Sequence, residues 1–151
     1  MTTFTRAELE REFAAYQERG RRAGQTGDWS PWADQFTDDA VYVEHLYGRF
    51  EGREAIRRWI TTTMAEYPND QFTLFPVEWA MFDEARGWIV CEVQNRLNDL
   101  GDGEVYQAAN LTKLHYAGDG MWSYEEDAYN PDAMAKVVKA WMRKKRELDT
   151  G

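Results

Sequence analysis

The 151-residue sequence is poor in the side chains that most often hold metals or form disulfides. It has one cysteine, Cys91, and two histidines, His45 and His115. One cysteine cannot form an internal disulfide, and so few thiol and imidazole groups argue against a zinc site of ordinary ligand count. We therefore expect no metal, and a buried thiol in a reducing compartment, by default the cytoplasm.

Positive charge and long apolar runs are also scarce. Eighteen Lys and Arg stand against 27 Asp and Glu, for a net charge of −9, which argues against nucleic acid and against an anionic membrane surface as partners. The sequence contains no run of about 18 apolar residues, so it predicts no membrane span. The charged N-terminus lacks an apolar signal-peptide core. Neither a glycine-rich phosphate loop nor a G-x-S-x-G motif occurs. We expect no nucleic acid, no membrane and no cofactor.

Aromatic residues, in contrast, are plentiful. They make up 15% of the chain, and hydrophobic residues make up 43%. This composition supplies material for a core and for a pocket lined with rings. The length predicts one domain spanning residues 1–151.

The hydrophobic periodicity changes from helical to strand-like along the chain. A capping-box pattern opens the first helix, and Gly and Asn/Asp clusters mark hairpin turns between the later strands. The order predicts an α+β fold in which a curved sheet and its helices enclose a cone-shaped cavity. The predicted helices span residues 6–22, a short stretch after 30, a helix from 54, and 132–148; the predicted strands span 40–45, 72–82, 88–97, 104–116 and 121–129.

The first predicted strand ends on a histidine. Alternation places Val41, Val43 and His45 on one side and Tyr42 and Glu44 on the other. Because the valines are apolar, we expect their side to face inward, with His45 at its end. Imidazole, with a pKa of about 6.5, suits a general acid or base. The alternative is a strand-end histidine bonded to backbone.

The last predicted strand carries two carboxylates on one side. Glu125, Asp127 and Tyr129 alternate with residues of the opposite side. Two carboxylates in an aromatic cavity repel each other, so one pKa should rise, as acid–base catalysis requires. A shift of one residue in register would turn Glu126 inward instead. The alternative is an exposed acidic strand end.

Polar amides and rings complete the predicted pocket. Asn95 and Asn110 lie on the inner sides of neighbouring strands, where an unpaired amide costs about 1–3 kcal/mol. Their partners are a ligand carbonyl or hydroxyl, each other, or a water. The side chains expected as core or pocket walls are Tyr16, Trp32, Trp59, Tyr106 and Tyr129.

Two stretches resemble a known family. Residues 27–45 read GDWSPWADQFTDDAVYVEH and residues 48–59 read GRFEGREAIRRW. They resemble the SnoaL-like branch of the nuclear transport factor 2-like superfamily, which includes polyketide cyclases and has ketosteroid isomerases as relatives. The resemblance implies a cone-shaped α+β barrel, with a curved, mostly antiparallel sheet wrapped around the N-terminal helices. It also implies a homodimer through the outer sheet face, where Trp88, Val90 and Leu111 are expected.

The resemblance further implies roles for particular residues. His45 takes the place of the catalytic aspartate of ketosteroid isomerases, Asp127 resembles the late-strand base of SnoaL-like cyclases, and Tyr16 resembles the oxyanion-binding tyrosine. The implied function is a cofactor-free acid–base enzyme, an isomerase, cyclase or dehydratase, acting on a small polyketide- or steroid-like carbonyl compound. The alternative is a non-catalytic module of the same fold that binds a small ligand or serves assembly.

Overall fold

The computed structural model describes residues 3–151. Over these residues the chain forms three α-helices and two short 3-10 helices, and none of them is long and apolar enough to cross a membrane. The helices are α1 (Arg6–Thr26), α2 (Arg53–Ala65) and α3 (Pro131–Thr150), and the 3-10 helices are Pro31–Gln35 and Asn69–Gln71.

Seven strands form one curved sheet in the order β2-β1-β7-β6-β5-β3, with β4 also paired to β5. The β1–β7 pair is parallel, and the other pairs are antiparallel. This architecture confirms the predicted α+β cone. The strands are β1 (Phe36–Glu44), β2 (Gly48–Glu51), β3 (Phe72–Leu74), β4 (Val77–Asp83), β5 (Trp88–Leu97), β6 (Gln107–Gly118) and β7 (Met121–Ala128).

Local signals explain where the long helices begin and end. The Thr5 hydroxyl accepts a hydrogen bond from the Glu8 amide at the start of α1, which satisfies one of its free N–H groups. Gly27 ends the helix in the left-handed region, with φ of 76°. Asn130 caps α3 in the same way as Thr5 caps α1. Helix α1 extends four residues past its predicted end, and Gly24 in this last part lies against the backbone of Thr73.

Two predicted segments differ from the structure. The expected turn at residues 48–52 contains strand β2, because Val41 pairs with Glu51 and the Gly52 amide donates to Ala40. The expected strand 72–82 is divided into β3 and β4, which both pair with β5. The division falls at Pro76, which has no N–H to donate to a ladder.

The core fills the space between the concave face of the sheet and the helices. Its fully buried members come from α1, α2, the first 3-10 helix and the inner sides of β1, β5, β6 and β7. A second cluster forms where Trp141 of α3 packs on Phe72 and Leu97, and the Trp141 indole donates to the Asn98 carbonyl at 2.8 Å. The space that the core leaves open is the cavity described next.

Candidate functional site

A cavity of about 240 Å³ lies between the concave face of the sheet and helices α1 and α2. A single water needs about 10–15 Å³, so a small organic molecule fits. None of its lining residues, within the described part of the chain, is Lys, Arg or His. The aromatic side chains in its wall include Trp29, Trp32, Trp59, Phe72, Phe75 and Tyr129.

Strand β7 places Glu125 and Asp127 on the cavity side, as the alternation predicted. They are two residues apart, so both side chains leave the same face of the sheet. Glu125 is only 2% exposed and Asp127 8%. Glu126, between them, points to the outer face and forms a salt bridge with His45. The predicted register of β7 is therefore correct.

Two tyrosines from distant parts of the chain contact this carboxylate pair. Tyr42 of β1 lies opposite Glu125 in the parallel β1–β7 register. Its hydroxyl lies 2.7 Å from Glu125 Oε2 and also contacts Asp127 Oδ2. Tyr16 of α1 donates its hydroxyl proton to Glu125 Oε1 at 2.7 Å. The pair is thus held from both the helix and the neighbouring strand.

Strand β6 supplies the remaining contacts of Asp127. Thr112 lies opposite Asp127 and donates its hydroxyl proton to Asp127 Oδ1 at 2.8 Å. Asn110, two residues earlier on the same face, donates from Nδ2 to the Thr112 oxygen at 3.4 Å. Because the single Thr112 proton goes to Asp127, the Asn110 atom that faces Thr112 must be the donor. Asn110 Oδ1 is buried without a partner among residues 3–151.

The contacts of Tyr42 reveal the protonation state of the pair. A tyrosine hydroxyl has one proton, yet this hydroxyl touches one oxygen of Glu125 and one of Asp127. With both carboxylates ionised, one of these contacts would join two acceptors. A proton on one of the two carboxyl groups removes the conflict; if Glu125 holds it, Glu125 donates to Tyr42 and Tyr42 donates to Asp127.

The pKa shifts agree with this assignment. Burial, and next the charge of Asp127, raise the pKa of Glu125 well above its usual range. Burial also raises the pKa of Asp127, but hydrogen bonds from Glu125, Tyr42 and Thr112 oppose that rise. The hydrogen bonds therefore call for a proton on the pair, and the pKa directions favour Glu125 as the group that holds it, with Tyr42 donating to Asp127.

Glu44, the last residue of β1, lies at the mouth of the cavity and is 5% exposed. Its Oε2 accepts from the backbone amides of Leu46 and Tyr47 at 3.1 and 2.6 Å. These bonds hold the turn that follows β1, which leaves the Leu46 and Tyr47 side chains about half exposed. Burial, and next Glu44, raise the pKa of Tyr129 across the mouth.

The predicted inward placement of His45 is wrong. His45 lies on the outer face, where its Nε2 is 2.8 Å from Glu126 Oε2 and its side chain is 43% exposed. The inner side of β1 carries Tyr42 and Glu44 instead. Their polar atoms are satisfied there, by the carboxylates of β7 and by backbone amides, so the polar side of the strand is buried and the valine side faces outward.

All but one of the other predicted pocket residues line the cavity. Tyr16, Trp32, Trp59, Asn95, Asn110 and Tyr129 line the cavity. Tyr106 does not, which corrects its predicted placement. It packs in the second hydrophobic cluster, and its hydroxyl donates to Asp102 at 2.7 Å, a bond that raises its pKa to about 12.

The sequence reasoning also missed three residues of the site. These are Tyr42, Glu44 and Thr112. The alternation along β1 contained the signal for Tyr42 and Glu44, but it was interpreted with the valine face, rather than their face, turned inward.

Comparison with known families shows which family this chain matches. A family model described as the SnoaL-like domain matches residues 18–125. The chain belongs to the SnoaL-like family. The match includes β1, α2 and most of the sheet, and it ends at Glu125. No curated protein matches this SnoaL-like chain at a significant level.

Solved structures confirm the nuclear transport factor 2-like fold of this SnoaL-like protein. An NTF2-like protein from Anabaena variabilis aligns with a TM-score of 0.63 at 17% identity, over 86% of this chain and 95% of the other. A hypothetical protein with a ketosteroid isomerase-like fold from Catenulispora acidiphila, in complex with trimethylamine, aligns with 0.65 at 18%, over 82% and 92%. An LEH-like epoxide hydrolase from M. tuberculosis aligns with 0.62 at 16%, over 89% and 91%. At these identities the likeness shows the fold alone.

Proposed function

We propose that this SnoaL-like protein is a cofactor-free acid–base enzyme that isomerises, cyclises or dehydrates a small hydrophobic carbonyl compound. One observation carries the proposal. Two buried carboxyl groups, joined through one tyrosine hydroxyl, face a cavity lined in part by aromatic rings. Carboxyl groups whose environments drive their pKa values apart are typical of enzymes that move protons at neutral pH.

In this proposal Asp127 is the base. Its carboxylate takes the proton from the carbon next to the substrate carbonyl, and the electron pair of that C–H bond moves to the carbonyl oxygen. The Asn95 amide also lines the cavity, but it lies two strands from Asp127 and four residues along β5 from Cys91, the residue in the same row as Asp127. It can therefore bind a polar group of the substrate that is remote from the reacting carbon. Asp127 then returns the proton to another carbon, or to a leaving hydroxyl in a dehydration.

Glu125, Tyr42 and Tyr16 support the base without touching the substrate carbon. Burial, more than neighbouring charge, raises the pKa of each tyrosine well above its usual range, so both stay protonated. When Asp127 gains the substrate proton, Tyr42 can still donate to it, because each oxygen of a carboxylic acid keeps a lone pair. The chain of hydrogen bonds therefore adapts to either protonation state of Asp127 without a change in the fold.

Proton exchange tests the proposal without knowledge of the natural substrate. The probe is 2-tetralone, a bicyclic aromatic ketone, incubated in heavy water while NMR follows the loss of its α-protons. We expect catalysed exchange, and a loss of roughly 100-fold or more in Asp127→Asn, the usual range for a general base. Glu126→Gln, the same change one residue away on the outer face, is the matched control. Equal exchange by Asp127→Asn and the wild type would exclude Asp127 as the base.

We also propose that the protein forms a homodimer through the outer face of the sheet. Trp79, Met81 and Leu111 are 40%, 66% and 44% exposed. They lie on β4 and β6, to either side of β5, and exposed apolar patches of this kind mark interaction sites. Leu111→Lys should convert the dimer to a monomer in analytical ultracentrifugation. A wild-type monomer at all concentrations would contradict the proposal.

A further inference from the structure

We propose that the ligand of this cavity is a cation, an aromatic or alicyclic compound with a protonated amine that binds beside Asp127 and Asn110. The inference deepens the proposed function, on which it rests for the identity of the reacting site, by naming the charge class of the substrate.

The first observation is an uncompensated negative charge. Glu44, Glu125 and Asp127 line the cavity, and none of them forms a salt bridge with any residue from 3 to 151. Any charge that the carboxyl pair carries is buried, and the two side chains that donate to Asp127, Tyr42 and Thr112, are both neutral. A buried charge is costly unless it is paired, and a bound ammonium group supplies the missing partner.

Glu126 shows that the lack of a cation is specific to the cavity. It neighbours Asp127 in the chain but faces outward, where His45 lies 2.8 Å and Lys113 3.8 Å from its carboxylate. The outward-facing acid of β7 thus has a lysine and a histidine beside it, whereas no Lys, Arg or His lines the cavity within residues 3–151. The cavity also repels anionic ligands for the same reason that it attracts cations.

The second, independent observation is the unpartnered oxygen of Asn110. Asn110 is only 8% exposed and lines the cavity. Its Oδ1 has no hydrogen-bond partner within the described residues. Its orientation follows from Thr112, whose only proton goes to Asp127. Asn110 therefore presents an acceptor, and the ligand group that satisfies it must be a donor, as an ammonium N–H is.

The third observation is the set of rings around these acceptors. Tyr42 lies 4.9 Å from Trp59 and 6.2 Å from Trp32 between ring centroids, and the ring planes are tilted by 55° and 60°. Rings at several angles present both faces and edges to one space, and ring faces attract cations. The same rings supply apolar surface for the body of the ligand.

A series of three probes that differ in charge tests the inference. The probes are 2-phenylethylamine, 2-phenylethanol and 3-phenylpropanoate, which present a cation, a neutral donor and an anion on a similar phenyl body. Isothermal titration calorimetry at neutral pH and low salt measures their Kd for the wild type. We expect the amine to bind at least tenfold more tightly than the alcohol, and the carboxylate to bind most weakly.

Variants identify the group responsible for that preference. Asp127→Asn should reduce the preference for amine over alcohol to less than about threefold, and Glu126→Gln should leave it unchanged. Glu44→Gln is a second variant, expected to reduce the preference by a smaller factor because Glu44 lies at the mouth. It keeps the test decisive if circular dichroism shows that Asp127→Asn does not fold.

Several outcomes would overturn the inference. These are equal binding of alcohol and amine, tighter binding of the carboxylate, no binding of any probe up to its solubility limit, or an amine preference that neither cavity variant reduces. The calorimetry needs no turnover. A protein that exchanges the protons of 2-tetralone but does not prefer the amine refutes the inference alone, and the reverse result refutes only the proposed enzyme.

Discussion

Replacing Glu125 with glutamine tests the protonation state on which the site depends. Glutamine keeps the size of the side chain, its carbonyl can accept from Tyr16, and its NH₂ can donate to Tyr42 as the protonated acid does. If Glu125 is neutral in the folded protein, the variant keeps the hydrogen bonds of this side chain with Tyr16 and Tyr42. Its free energy of unfolding should therefore match or exceed that of the wild type.

The magnitude follows from proton binding. Glu125 has a raised pKa in the folded protein, so its stabilising contribution is complete below the unfolded pKa of 4.5 and decreases as the pH rises toward the folded pKa. In that window the folded state holds one more proton, and stability falls by about 1.4 kcal/mol per pH unit. Above about pH 5, Glu125→Gln should therefore gain stability relative to the wild type by up to about 1.4 kcal/mol per pH unit, as far as the folded pKa of Glu125.

Urea unfolding followed by tryptophan fluorescence measures this difference, since the chain has seven tryptophans. Glu126→Gln, in an exposed ion pair, should change stability by no more than about 1 kcal/mol. If the pH curves of the wild type and Glu125→Gln run parallel, Glu125 is ionised in the folded protein and the proton assignment is wrong.

Three further predictions concern single side chains. Tyr42→Phe removes the hydroxyl between the two carboxylates, so we expect a loss of about 1–3 kcal/mol in urea unfolding and slower 2-tetralone exchange. His45→Ala, on the outer face, should change exchange less than twofold. Gly24→Ala should destabilise by about 1–3 kcal/mol, because its Cβ would lie 2.4 Å from the Thr73 carbonyl oxygen. Gly20→Ala, in open space on the same helix, is the control and should stabilise by about 0.5–1 kcal/mol; equal effects of the two would contradict the predicted clash.

Local patterns predicted the parts of the site that depend on one strand at a time. Because side chains alternate along a strand, Glu125 and Asp127 had to share a face, and so did Asn110 and Thr112. The α+β order followed from the change of period, and the family followed from residues 27–59.

Alternation defines two faces of a strand but does not say which of them is buried. In β1 the valines suggested that their own face is buried. The tertiary structure buries the Tyr42 face instead, because the Tyr42 hydroxyl finds its partners on β7. The contact between Tyr16 and Glu125 joins residues 109 positions apart, and no local pattern encodes it. The sequence by itself determined which carboxylates stand together. Only the fold determined what surrounds them, because burial and neighbouring hydroxyls, which set their pKa values, come from elements far apart in the chain.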